Sequence, residues 1–212
     1  MEWCEALVYR RTGHSGHRGL CAVVLAAGAS RRYGSPKQLA RYRGEALVAR
    51  SVRLAYEAGA GTVCVVLGYR SEAIRRVLQQ GRVPVGDTNT VRNPRWRDGM
   101  GRSLACGVRT LDPRARAVLV CLADQPLLEA ADLAVLVRAW RGSPQCIVAS
   151  CYAGKPGVPA IFPRSHFAAL KALSGDRGAR LLLASSNNVF SVPMPRAAVD
   201  IDDPQELRNL PS

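Results

Sequence analysis

Three features of the 212-residue sequence predict an α/β fold with a mostly parallel, mixed sheet between helices. From Leu20 onward, short apolar runs rich in β-branched residues alternate with segments of helical spacing, the mark of repeated strand-helix-strand units. Two of those runs, LCAVVLA (20–26) and AVLVCLAD (117–124), show no polar alternation, as expected of strands covered on both faces. Each ends in a segment rich in turn-forming or chemically active residues, at the edge where open α/β sheets present their ligand-binding loops.

The elements follow in order. LCAVVLA predicts the first core strand. Residues 45–58 place Leu47, Val48, Ser51, Val52, Leu54, Ala55 and Ala58 along one side of a helix that stops at Gly59 and Gly61. TVCVVLG predicts a second buried strand, and Ser71 is positioned to cap a short helix bearing Ile74, Val77 and Leu78, closed by Gly81. A third strand is expected over Val83–Thr88. Ser103 is then expected to cap a helix with Leu104, Val108 and Leu111 on one face. AVLVCLAD predicts the clearest central strand, followed by a helix over 130–140 with Leu133, Leu136, Val137 and Trp140 at helical spacing. Strands over Ile147–Cys151 and Pro159–Phe162, a helical stretch over Arg164–Ala184, a strand over Val189–Val192 and a final helix from Pro204 complete the chain.

Residues 1–19 carry no periodicity and read as an irregular extension, and nothing divides 20–212, which reads as a single domain. No run of about eighteen apolar residues occurs, and the first residues lack a secretory pattern, so the reading is a cytoplasmic protein that does not engage membranes. The net charge of +14, from 30 basic and 16 acidic residues, favours anionic partners. The arginines are dispersed, without a basic helix face or aromatic stacking motif, so nucleic acid is not the expected partner. Most of the seven cysteines lie within apolar runs and read as buried hydrophobes. Cys146 and Cys151 have no histidine nearby to suggest zinc.

The chemistry is concentrated at two places. LAAGASRRYGSPKQL (25–39) puts Gly28, Ser30, Arg32, Gly34 and Lys37 directly after a strand. A triphosphate needs close backbone approach, inward-pointing amides and fixed cations, and this composition supplies all three. No GK[ST] follows, so the segment is not a P-loop, and it lacks the GxGxxG of dinucleotide binders. Lys37 is the only lysine in the first 154 residues. The second place is acidic. Asp124 follows the AVLVCLA strand, and Asp202 lies in VDIDDPQEL with Asp200 as its alternative. Carboxylates from separate strands, together with substrate phosphates, are the usual ligands of Mg²⁺. Asp203, before Pro204 and three residues ahead of Glu206, reads as a helix cap with a capping-box partner.

The loop string LAAGxSxRxGxxK resembles the signature of the nucleotidyltransferases that include molybdenum cofactor cytidylyltransferase and its guanylyltransferase relative. LADQP and VDIDDPQEL resemble that family's two metal-binding motifs, NPRWRDGMGRSLACGV and GVPAIF its acceptor-side segments, and GDRGARLLL a late helix-loop motif. The resemblance implies a three-layer, Rossmann-like nucleotidyltransferase fold. It implies that Leu25, Ala26, Ala27, Gly28, Ser30, Arg32, Gly34 and Lys37 bind nucleotide, with Arg32, Lys37 and Asp124 catalytic. It further implies Mg²⁺ on Asp124 and Asp202, and acceptor contacts from Ser103, Gly157 and Pro159. The implied substrates are CTP and a molybdopterin-type cofactor, with a molybdoenzyme of the xanthine dehydrogenase class as downstream partner. Ala27 stands where guanylyltransferase relatives tend to have glycine, which favours CTP over GTP. Tyr33 stands where methionine is usual.

Two rival functions remain open at this level. The same loop and carboxylates would serve transfer to another phosphorylated acceptor, a sugar phosphate for example, or use of GTP by a molybdopterin guanylyltransferase. A non-catalytic nucleotide- or RNA-binding domain would share the basic composition.

Overall fold

The computed structural model describes residues 6–7, 17–80 and 87–211. Of the segment expected to be irregular, Ala6–Leu7 form a short strand and a longer one begins at His17, while the rest lies outside the described residues. In chain order the strands are β1 (Ala6–Leu7), β2 (His17–Ala26), β3 (Arg41–Tyr42), β4 (Glu45–Ala46), β5 (Ala60–Leu67), β6 (Asp87–Arg92), β7 (Ala117–Leu122), β8 (Ile147–Tyr152), β9 (Lys155–Pro163) and β10 (Val189–Pro193). The α-helices are α1 (Leu47–Glu57), α2 (Ser71–Gln80), α3 (Met100–Arg109), α4 (Ala130–Gly142), α5 (Phe167–Lys171), α6 (Arg180–Ser185) and α7 (Pro204–Arg208).

Eight strands form one sheet in the order β1-β6-β5-β2-β7-β9-β8-β10, and β3 with β4 makes a separate hairpin. The central ladders β6-β5-β2-β7 are parallel, and β10 runs parallel to β8. Strand β9 runs antiparallel to both β7 and β8, and β1 antiparallel to β6, so the sheet is mixed but mostly parallel.

The core divides by the two-residue period of the strands. Leu20, Ala22, Val24 and Ala26 of β2 join Val63, Val65 and Leu67 of β5 and Leu119 and Cys121 of β7 beneath α1, α2 and α4. Their alternates Cys21, Val23, Leu25, Cys64, Val66, Val118 and Val120 pack against α3, α5 and α6. Helices therefore cover both faces, which gives the three layers and explains why these strands read as unbroken apolar runs. The chain leaves β2 toward β5 and β6 on one side and returns to β7 on the other. The crevice beyond the carboxyl ends of β2 and β7 is the topological switch point, where this class of sheet binds ligands.

Several local expectations are corrected. The third strand lies at Asp87–Arg92 rather than Val83–Thr88, with 83–86 outside the described residues. Its DTNTVR composition is polar because it lies near the sheet edge, with only the two-residue β1 outside it, so it offers no apolar run to read. Helix α3 starts at Met100 after Gly99 (φ 105°), and Ser103 is not its cap. Ser103 is instead buried within the helix, where its hydroxyl accepts a hydrogen bond from Asn93 Nδ2 at 3.0 Å. The stretch 164–184 is not one helix. Gly175 and Gly178, at φ 69° and 51°, break it into α5 and α6. Strand β9 begins at Lys155, four residues earlier than expected, because Ala153 and Gly154, both at positive φ, close a two-residue hairpin with β8. Helix α2 starts at Ser71 itself, after Arg70 at φ 51°, and Gly81 lies outside the described residues.

Cys21, Cys64, Cys106 and Cys121 are buried, Cys146 and Cys151 are partly exposed, and Cys4 lies outside the described residues. Among the described residues no helix is long and apolar enough to cross a membrane.

Candidate active site

The loop after β2 is shaped from within. Buried Gln38 donates through Nε2 to Gly28 O at 3.0 Å, and the Lys37 amide donates to Ser30 Oγ at 3.2 Å. Ser30 sits in the left-handed region at φ 52°, and its carbonyl accepts from Tyr33 N at 3.0 Å, so the backbone doubles back over residues 28–34. The end of β5 approaches this turn closely. Tyr69 N donates to Ala27 O at 3.0 Å, and a Cβ on Gly68 would lie 2.5 Å from that same oxygen, which excludes any side chain at 68.

A one-turn helix at Lys37–Leu39 then returns Lys37 to the sheet rim. Its Nζ lies 2.6 Å from Asp124 Oδ2 and 3.1 Å from Asp202 Oδ1, and Arg32 Nη2 lies 2.5 Å from Asp202 Oδ2. Residues separated by up to 170 positions thus meet at one point. Asp124 is delivered by the end of β7, and Asp202 by the segment before α7. Ile201 N donates to Asp124 O at 3.0 Å, joining the two backbones directly. Asp203 caps α7 by accepting from Gln205 N and Glu206 N, with Glu206 completing the capping box, as the sequence predicts.

The electrostatics follow from this packing. Burial opposes the Lys37 charge, but Asp124 and Asp202 outweigh it and hold the ammonium above its ordinary range. Asp200 faces the same charges, and its carboxyl is pushed up to about 6, first by the protein mass around it and then by Asp124. Asp200 is nonetheless exposed to solvent and is not a core residue. Asp124 Oδ1 is buried with no hydrogen-bond donor. A buried carboxylate oxygen without a partner is costly, and an all-oxygen donor set suits a hard divalent cation. Among the described residues no three His, Cys, Asp or Glu side chains converge as a metal cage. The protein thus offers a pair of carboxylates to be completed by a ligand, an arrangement that fits Mg²⁺ held jointly with phosphate oxygens.

The rim opens into a cleft of about 610 Å³ lined by Leu25, Ala27, Gly28, Ser30, Arg32, Lys37, Ser103, Asp124 and Asp202 from the sequence-predicted set. Ala26 points instead into the core beneath α1, and Gly34 lines a smaller adjoining hollow with Tyr69 and Trp96. Gly157 and Pro159 do not line the cleft. Gly157 pairs with Ser150 across the β8-β9 ladder, and a Cβ there would meet the Tyr152 hydroxyl at 2.5 Å. Sequence reasoning missed Gln38, Trp96, Arg97, Met100 and Asp176 as lining residues. The clue for Trp96 and Met100 was the NPRWRDGMGRSL string, since Gly99 and Gly101 both approach residues 174–176 too closely for a side chain.

A model of the MobA-like NTP transferase domain matches residues 22–189. The chain belongs to this family. The match runs from Ala22 within β2 to Val189, the first residue of β10, and takes in the cleft-lining residues except Asp202. Purine catabolism protein PucB of Bacillus subtilis is 30% identical over 200 residues, covering 88% of this chain and 93% of PucB. A probable molybdenum cofactor guanylyltransferase of Opitutus terrae is 31% identical over 150 residues, 68% of this chain and 66% of that protein. The crystal structure of Rv0371c from Mycobacterium tuberculosis superposes with a TM-score of 0.72 at 29% identity, covering 90% of this chain and 96% of that one. A complex of Rv0371c with manganese superposes at 0.70. As a MobA-like NTP transferase, the chain is a nucleotidyltransferase of α/β fold.

Proposed function

We propose that this nucleotidyltransferase uses Mg²⁺ to transfer CMP from CTP to a molybdopterin-type cofactor, releasing pyrophosphate. The observation that carries the reading is the convergence of Lys37, Asp124 and Asp202 at the mouth of a cleft whose floor is the glycine-bearing loop.

In this reading an acceptor phosphate oxygen attacks the α-phosphorus, and the bond to the β-phosphate oxygen breaks. Catalysis is alignment plus charge stabilisation, so no protein nucleophile is required. Backbone of residues 27–30 approaches the triphosphate, and Arg32 and Lys37 offset its charge. Lys37 is held ready by its two carboxylate partners, and its ammonium turns from them to pair with phosphate oxygens when nucleotide enters. Asp124 and Asp202 would hold Mg²⁺, which when bound supplies Lewis-acid stabilisation of the phosphate charge. The orphaned Asp124 Oδ1 and the manganese complex of Rv0371c support a divalent ion here.

The acceptor assignment draws on the relatives. PucB is named for purine catabolism, and xanthine is a purine, which accords with service to molybdoenzymes of the xanthine dehydrogenase class. Ala27, 5% exposed at the cleft wall, narrows the space for a base relative to glycine and supports CTP. The test is product analysis with purified protein, molybdopterin cofactor, Mg²⁺ and each nucleoside triphosphate in competition. Cytidylylated cofactor with stoichiometric pyrophosphate is expected. Preference for GTP would overturn the base assignment, and turnover only with a sugar phosphate would overturn the acceptor.

A further inference from the structure

Gln125 lies where three parts of the site meet. Its side chain is 4% exposed, and its Nε2 donates to Val158 O of β9 at 3.1 Å and to Ala197 O at 2.7 Å. Ala197 belongs to the one-turn helix Pro195–Ala198 that leads into Asp202. The preceding residue is Asp124, whose carbonyl accepts from Ile201 N at 3.0 Å. Two ties therefore run between the Asp124 loop and the 197–201 segment. With one tie the segments could pivot about it; with two, both spacing and angle are set.

We infer that Gln125 is a positioning residue, fixing Asp124 and Asp202 at the separation that a shared cation requires. This rests on the metal reading proposed above. The chemistry of the position favours glutamine. A single nitrogen must donate twice to two carbonyls, which a primary amide does. Glutamate has no donor to offer them, asparagine is one methylene short, and a lysine ammonium buried to this degree would lack a carboxylate partner. Packing alone does not explain the residue, because Gln125 Oε1 is itself buried without a partner. Methionine would fill the same length without that orphan. Val158 O also receives the Tyr152 hydroxyl at 3.2 Å, so the bond that reaches toward Asp202 is the one to Ala197 O. The other end of the loop is held separately by Arg50, whose Nε and Nη2 donate to Pro126 O at 3.0 Å and Leu128 O at 2.7 Å. Loss of Gln125 therefore frees the Asp124 to Asp202 spacing without releasing the whole loop.

The experiment is Mn²⁺ titration of the full chain, followed by electron paramagnetic resonance of the free ion, for wild type, Gln125→Met and a control, Arg164→Met. Arg164 makes side-chain bonds to Pro113 O and Ala115 O, near the start of β7 at the rim opposite the cleft. Gln125→Met is expected to weaken Mn²⁺ binding about tenfold or more, the usual effect of losing support behind a ligand. Turnover should show kcat reduced with KM for CTP nearly unchanged, and Arg164→Met should leave Mn²⁺ affinity as in wild type. Mn²⁺ affinity of Gln125→Met within about twofold of wild type, or an equal loss in Arg164→Met, would overturn the inference. If Gln125→Met fails to fold, Gln125→Asn carries the same measurement. A wild-type chain that binds no Mn²⁺, either alone or with CTP present, would overturn the metal reading itself and this inference with it.

Discussion

Replacing Lys37 with methionine isolates the central ion cluster while keeping the volume of the side chain. In the structure the ammonium pairs with Asp124 at 2.6 Å and Asp202 at 3.1 Å, and the three side chains are 15%, 19% and 39% exposed in turn. Unit charges about 4 Å apart attract by about 4 kcal/mol at an effective dielectric of about 20. Desolvation of Lys37 and Asp124 offsets much of that, and the more exposed Asp202 contributes at the screened level of a surface pair, about 0.5 kcal/mol. The expected net loss is about 2 kcal/mol, or roughly 4–8 °C in Tm for a chain of this size. The partners hold the ammonium above its ordinary value of 10.5, so this stability is fully present below that pH and fades as pH rises through the higher folded value. Removing the lysine also leaves Asp124 without its counter-charge and Asp202 with Arg32 alone, so millimolar Mg²⁺ should raise the Tm of Lys37→Met more than that of wild type. Scanning calorimetry with and without Mg²⁺ measures both effects. Equal Tm values in metal-free buffer, or equal gains from Mg²⁺, would show that Lys37 does not neutralise this carboxylate pair.

Further outcomes follow from the same geometry. Asp124→Asn should lower kcat by about a thousandfold or more while the circular dichroism spectrum and cooperative unfolding are retained, because the carboxylate meets Lys37 at a strand end and packs no core; measurable transfer with unchanged Mg²⁺ dependence would contradict its role. Gly107→Ala should destabilise by about 1–3 kcal/mol in urea, since the added Cβ would lie 2.7 Å from Val66 Cγ2 and 2.8 Å from Val23 Cγ1, both in the packed core under α3. Burial raises the Cys21 thiol to about 11 and the Cys121 thiol to about 12, from 9.0. The unfolded chain loses these protons first, so stability should fall from about pH 9 upward, by on the order of 2 kcal/mol per thiol at pH 11. Urea midpoints across that range should flatten in Cys21→Ala and Cys121→Ala.

Apolar runs made the central strands legible in the sequence, because a strand covered on both faces leaves no alternation to misread. The polar strand Asp87–Arg92 was misplaced for the opposite reason, since its pairing near the edge is decided by tertiary contacts and not by composition. Lys37, Asp124 and Asp202 could be named because each sits at the end of a recognisable run or motif, and the structure brings them within 3.1 Å of one another through Lys37. Gln38, Gln125 and Arg50 were hidden. Gln125 and Arg50 act on backbone oxygens far away in the chain, at 158, 197, 126 and 128, and Gln38 on that of Gly28 across its own loop; no local pattern marks a side chain whose partners are carbonyls. Ser103 was misread as a helix cap because a serine ahead of an apolar stretch looks the same whether it caps the helix or is buried inside it.

The most direct measurement is a crystal structure with CTP and Mn²⁺, using the anomalous signal of the metal to place it without bias. One strong peak is expected at coordination distance from a carboxylate oxygen of Asp124 and one of Asp202, with Lys37 turned to the phosphates. A metal peak elsewhere, or triphosphate bound away from residues 27–37 with Lys37 still bridging both aspartates, would contradict it.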